Sequence, residues 1–423
     1  MRFRRTRLWN NSDFLKLWAG ETISIFGSLV GRTALVFTAV LVLNASALEI
    51  GVLTALDIVP GLLFGLIAGV WVDRLPRRMI MIVADLGRAA LLVTIPIAYA
   101  LDSLSMSQLF AVAMGTGVLT IFFDVAYQTY LPALVSKEHL VEGNSKMAAS
   151  AAVAEVGGFS LAGFLVQILK GPYTILVDSA SFLWSAAFIW RIKTPEAAPK
   201  TAEEREGMLR EIRDGGRALL GDPILRSIAG ATVVMDFSIR MIGAVYLLYA
   251  TRSLGFEPGV LGVVFAVGGV TSLIGALFAG RAAKRLGIGR AMVGCLIVMG
   301  GAMLLTPAAT DASVLALGFL VAHQFGDAFW TAYDINAMSL RQSITPQHVM
   351  GRVNAGMHFS GLAAALAGAL DGGVLGELAG LRLTLVIGAS GFFVAAGWLL
   401  LSPVWSTKQP AMAEMASGKM TAG

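Results

Sequence analysis

The chain has 423 residues, of which 56% are hydrophobic and only 14% charged, and its formal net charge is +5. At a mean hydropathy of +0.74 the polar residues are too few to cover a water-soluble surface, so the chain belongs in a bilayer. The positive balance does not point to nucleic acid, because the cations gather at the ends of apolar runs, where a membrane protein keeps its anchors.

A spanning helix needs roughly 20 mainly apolar residues, and the sequence offers about twelve such runs. In the first half they lie near 15–43, 50–72, 79–100, 107–130, 147–169 and 172–191. In the second half they lie near 227–250, 259–281, 290–308, 312–336, 353–377 and 381–403. The first run follows Arg2, Arg4, Arg5 and Arg7 and leads straight into the second, so it reads as a helix and not as a cleaved secretory signal.

The second and third runs are joined by Gly69-Val-Trp-Val-Asp73-Arg74-Leu-Pro-Arg77-Arg78. An echo, Gly280-Arg-Ala-Ala-Lys284-Arg285-Leu-Gly-Ile-Gly-Arg290, follows 211 positions later. Ile50-Gly51-Val-Leu matches Leu261-Gly262-Val-Val at the same spacing. One unit has been duplicated, a plan found in transporters built from two six-helix halves.

Between the halves, residues 193–226 form the one long polar interruption. Leu209, Ile212, Leu219 and Leu220 alternate there with Arg210, Arg213, Asp214 and Arg217, which fits either an amphipathic helix on the inner leaflet or a solvated tether. The tail, 404–423, is small and polar and is expected to be disordered.

With the N-terminus inside, one face receives the arginines before the first run, the Arg74 to Arg78 cluster, the central loop and the cations from Arg281 to Arg290. The other receives only Lys170, Arg252 and Arg382, so both termini are expected to be cytoplasmic. The expected fold is all-α and polytopic: twelve transmembrane helices as two six-helix bundles, 1–192 and 227–403.

The loop pattern of glycine, Asp-Arg and a basic pair resembles the major facilitator superfamily. Gly69, Asp73, Arg74, Arg77 and Arg78 match it position by position, with Pro76 where glycine often stands. The second copy has Lys284 in place of the aspartate. Asn11-Ser-Asp-Phe14, Leu17-Trp18, Asp178-Ala-Ser-Phe182, Glu211-Ile-Arg-Asp-Gly215 and Gly351-Arg352-Val353 look like the macrolide-efflux and enterobactin-exporter branch. Gly157-Gly158-Phe159 stands where related drug antiporters carry a proline, which weakens the case for antiport.

The resemblance implies that Gly69, Asp73, Arg74, Arg77 and Arg78 form a cytoplasmic gate, and Asp85 and Arg88, one to three turns further on, are read with it. A glycine at position 69 permits close helix approach, and Asp73 is expected to latch a facing helix. Lys284, Arg285 and Arg290 behind Gly280 read as anchors.

Ionisable residues at bilayer depth are costly, by about 2.5 to 3.5 kcal/mol on insertion scales, and usually face a partner or a cavity. The candidates for proton or substrate contact are Arg32, Asp57, Asp124, Glu155, Asp236, Arg240 and Asp327. Arg32 and Asp57 fall at a similar depth and are expected to pair, as are Asp124 and Glu155 on consecutive helices. Glu21, Asp334, His323 and His358 also lie within spans, the histidines more in keeping with helix packing. Aromatic residues such as Phe123, Tyr127, Phe329 and Tyr333 either pack helices or present a wall to a greasy substrate.

No paired metal ligands, activated nucleophile or phosphate-cradling loop is found, so neither an enzyme nor a cofactor is expected. Cys295 is the single cysteine. The expected function is proton-coupled efflux of a hydrophobic or amphipathic small molecule by a monomer in a bacterial inner membrane. A lipid flippase of the same fold and a non-transporting sensor are the alternatives.

Overall fold

The computed structural model describes residues 8, 11–72, 74–135, 139–194 and 219–408, nearly all of them helical. In the first half α1 (Ser12–Phe37) passes into a π turn, Thr38–Val42, and is followed by α2 (Ala47–Val72) and α3 (Arg77–Ala100). Then come α4 (Met106–Leu134), α5 (Leu140–Leu169) and α6 (Gly171–Trp190). In the second half α7 (Pro223–Leu248) ends in a π turn, Tyr249–Ser253, before α8 (Pro258–Leu286) and α9 (Ile288–Met303). The chain closes with α10 (Val314–His323), α11 (Gly326–Ile344), α12 (Gln347–Leu378) and α13 (Leu381–Leu400).

The duplication is built into this geometry. Helix starts at Ser12 and Pro223, at Ala47 and Pro258, and at Arg77 and Ile288 are each 211 positions apart. So are the caps: Asn11 Oδ1 accepts from the amides of Asp13 and Phe14, and Asp222 Oδ1 from those of Ile224 and Leu225. Each satisfies amides that a helix start leaves open. The left-handed residues after the π turns, Asn44 and Gly255, keep the same register.

The tenth span departs from the expected single helix. Among the described residues eleven helices are long and apolar enough to cross a membrane, and this span is not one of them. Between α10 and α11 the amides of Gln324, Phe325, Asp327 and Ala328 reach carbonyls three residues back instead of four. Thr271 of α8 donates to the Gln324 carbonyl at 2.6 Å, holding the break from outside. Polar backbone away from the ladder survives at membrane depth when a neighbouring helix satisfies it.

Two compact units result. The first comprises Met1–Ala45, Leu56–Glu204 and Glu257–Ala266; the second comprises Ser46–Ala55, Arg205–Phe256 and Val267–Gly423. In the first, α1 lies against α6 through glycine: a Cβ on Gly27 would strike the Ser181 hydroxyl, and one on Gly31 the Asp178 carboxylate. Such small-residue seams let helices pack where lipid gives no hydrophobic drive. Outward-facing residues are large and apolar, with Leu277 71% and Val263 67% exposed, as a lipid-facing surface requires.

The linker and tail expectations fall mostly outside the described residues. Of the proposed amphipathic segment only Leu219 and Leu220 are seen, helical, the first buried and the second exposed.

Candidate functional site

Asp73, on which the expected latch depends, lies outside the described residues. Around it, α2 ends at Val72 and Arg74 is exposed. Arg78 at the start of α3 donates through Nε to the Ile189 carbonyl at 3.1 Å and through Nη2 to the Trp190 carbonyl. It thus caps the C-terminus of α6, where open carbonyls and the helix dipole favour a cation. Gly69 and Gly280 have no described atom within 4 Å of where a Cβ would stand.

The second copy is built differently. α8 runs on through Lys284, Arg285 and Leu286 and stops at Gly287, whose φ of +88° suits glycine. Lys284, Arg285 and Arg290 are exposed, and the Arg290 guanidinium lies 5.6 Å from the Trp405 ring centre.

Asp85 and Arg88 sit away from this loop surface, inside the first bundle. Asp85 is 0% and Arg88 3% exposed, and the two form an ion pair one turn apart on α3. The guanidinium carbon is 4.5 Å from the Phe123 ring centre on α4 and 4.0 Å from that of Phe182 on α6. Nη1 donates to Thr120 Oγ1 at 3.3 Å. A desolvated cation between ring faces gains about 2 kcal/mol or more from them. Phe123, a candidate wall residue in sequence, is thus part of a cage for Arg88.

Three more carboxyls surround that cage. Asp178 of α6 is 4% exposed and accepts from Ser28 at 3.3 Å and Ser181 at 3.4 Å. Glu21 of α1 lies within electrostatic range of Asp124, Arg88 and Asp85. Asp124 of α4, exposed at its side chain, feels Arg88 and Arg32. Glu155 is exposed on α5, and Glu21 and Asp124 lie within electrostatic range of each other. Arg32 and Asp57 approach to 4.0 Å as a half-exposed pair.

In the second unit Asp236 of α7 groups with Arg240, with Asp334 of α11 and with His358 of α12. Asp327 lies beside the helix break: a Cβ on Gly268 would meet its carboxylate and the Gln324 amide. His323, 7% exposed, shares a 2.9 Å hydrogen bond with Thr306 through Nδ1 and pins the end of α10. Among the described residues no cluster of His, Cys, Asp and Glu has the makings of a metal site.

Sequence reasoning left Glu21 and Asp178 out of the site. In the sequence Asp178 stands out only within Asp178-Ala-Ser-Phe182. Glu21 stands next to Gly20, which packs against Ser185 of α6, and that proximity across 165 positions has no sequence signal. Beside the cluster, α1, α5 and α6 frame an apolar groove of about 310 Å³ bordered by Phe26, Leu161 and Trp184.

The sequence pattern of the Major Facilitator Superfamily matches residues 22–359. The multidrug efflux pump Tap of Mycolicibacterium fortuitum is 28% identical over 353 residues, 81% of this chain and 84% of its own. The uncharacterized transporter YfiS of Bacillus subtilis is 23% identical over 89% of this chain and 90% of its own. Macrolide efflux protein A of Streptococcus pyogenes is 23% identical over 55% of each. In fold, the chain is similar to the nucleoside transporter NupG, with a TM-score of 0.70 at 11% identity over 92% of this chain and 98% of that one. A bacterial homologue of the iron transporter ferroportin gives 0.70 at 16% identity, with the same coverage.

Proposed function

The chain belongs to the Major Facilitator Superfamily, and from that premise we propose that this transporter exports a hydrophobic or amphipathic small molecule against an inward flow of protons. The observation that carries this reading is the concentration of carboxyls around a single caged arginine inside an otherwise apolar bundle. Fixed ionic groups at membrane depth are the usual mark of an ion or proton path. The efflux function named for Tap and for macrolide efflux protein A supports the outward direction. The apolar groove beside α6 supports a greasy cargo.

In this reading both termini face the cytoplasm of a bacterial cell, because the cations cluster on the loops of that side. The protein works as a monomer by alternating access. The Gly69 to Arg78 loop closes the cytoplasmic end: Arg78 ties it to α6, and Asp73 supplies the breakable contact.

The test is uptake of ethidium or erythromycin into everted membrane vesicles with an imposed pH gradient. Accumulation that collapses when the gradient is dissipated is expected. Accumulation indifferent to the gradient would refute proton coupling. Full activity in Asp73→Asn would remove the latch.

A further inference from the structure

The Arg88 cage is out of charge balance. Four carboxyls, those of Glu21, Asp85, Asp124 and Asp178, lie within its electrostatic reach, and the other cation near them, Arg32, is already opposite Asp57. Uncompensated carboxylates in a low-dielectric interior are strongly unfavourable. Among the described residues the buried Glu21 Oε2 has no hydrogen-bond partner.

Packing does not require this arrangement. The positions 211 residues on, Leu296 and Met299 of α9, are 0% and 2% exposed, so the same place in the second bundle is filled by apolar side chains. A buried ion pair contributes little net stability compared with well-packed apolar residues. Its presence in one half alone calls for a different role.

The four carboxyls differ in access. Asp85 and Asp178 are buried, the first held by Arg88 and the second by two serine hydroxyls. Asp124 is exposed one turn beyond Thr120, the hydroxyl that Arg88 grips. Glu21 lies within electrostatic range of Asp124 and Tyr127 on α4 and of Asp85 and Arg88 on α3. From α6 the facing polar groups are Asp178 and Ser185, and on α5 Glu155 is turned to the exposed side.

We propose that Glu21 and Asp124 are the proton-exchanging carboxyls of this transporter, and that Arg88, caged by Phe123 and Phe182 and paired with Asp85, is the positioning residue that fixes their charge. The proposal rests on the proton-driven reading above and names its site. A proton arriving at exposed Asp124 passes to Glu21, and the fixed guanidinium limits how many the pair can hold. Because Arg88 is stacked and cannot swing out, its charge remains in place while the pair loads and unloads. Lysine keeps the charge but lacks the planar stacking surface.

The experiment uses the full chain in liposomes and records infrared difference spectra between acid and alkaline conditions. The readout is the high-frequency carboxyl band given by weakly hydrogen-bonded acids. Glu21→Gln and Asp124→Asn should each remove part of that band and the double variant all of it, while Asp311→Asn leaves it intact. Arg88→Lys should shift its pH midpoint while elution profile and helix content stay unchanged, which a purely structural arginine would not do. If the double variant fails to fold, the single variants and Arg88→Lys read the same band.

An unchanged band in Glu21→Gln and Asp124→Asn overturns the proposal. Ethidium movement in the same liposomes separates it from the export reading. A band lost with Glu21 and Asp124 in a protein that moves no ethidium upholds the proton site and counts against export. Gradient-driven ethidium movement that persists in the double variant upholds export and overturns the proton site.

Discussion

The third helices of the two halves start 211 positions apart and bury the same two places, yet fill them with opposite chemistry. In α3 these are Asp85 and Arg88; in α9 they are Leu296 and Met299, equally inaccessible. The seam between first and last helices is likewise exchanged. Gly27 of α1 admits Ser181 of α6, whereas in the second half Ser238 of α7 is admitted by Gly391 of α13. The bundle therefore constrains volume at these places and leaves polarity free. Where one half holds charge and the other does not, the cause is sought in function.

The strongest break of this comparison is Arg88→Leu, which strands Asp85 in the core. A loss of about 3 to 5 kcal/mol is expected, read as earlier thermal unfolding in detergent. Adding Asp85→Leu, which copies the α9 pattern, should restore most of it. A double variant as unstable as the single one would mean that the halves do not pack alike.

Next in size is Gly27→Ser, which crowds the α1–α6 seam at a cost of about 1 to 3 kcal/mol. With Ser181→Gly added, the pair reproduces the arrangement of the second half, and the melting temperature should rise again. Additive losses in a double-mutant cycle would contradict the exchange.

Smaller still is the contrast between the caps. Asp222→Ala should cost about 1 kcal/mol. Asn11→Ala should cost roughly 1 kcal/mol more, because Asn11 Nδ2 also donates to the Leu134 carbonyl at 2.8 Å. Equal losses would show that this tie to α4 adds nothing.

The smallest effect belongs to Arg32 and Asp57. At 4.0 Å and half-exposed, removing either partner should change stability by less than about 1 kcal/mol. A larger change would mark the pair as desolvated in the working protein.

The helical plan was legible because hydropathy reports burial in lipid directly, and the repeat because Gly51 and Gly262 keep their spacing. The break in the tenth span was not. Residues 314–323 are as apolar as any other run, and the interruption depends on Thr271, over 50 positions earlier, reaching the Gln324 carbonyl. Asp85 and Arg88 were read with the loop cations because they follow them closely in sequence. Their inward placement shows only when α3 is set against Phe123 and Phe182, which come from two other helices. Asn11 and Asp13 were noticed as a motif, while their physical work, capping α1 and binding the amides of Lys193 and Thr194, needed coordinates.

The π turns carry a history. Each marks one extra residue wound into a helix, an insertion that moves everything after it by one position. Thr38–Val42 and Tyr249–Ser253 occupy the same place in their halves, and the helices that follow remain in step. The insertion was therefore already present in the ancestral half-length gene and was inherited by both copies. The left-handed residues before the last helices, Lys170 and Gly380, are spaced one position closer than the earlier pairs. The fourth and fifth helices have drifted further, starting at Met106 and Val314 and at Leu140 and Gln347, so the connections in the later part of each half changed in length after the copies were joined.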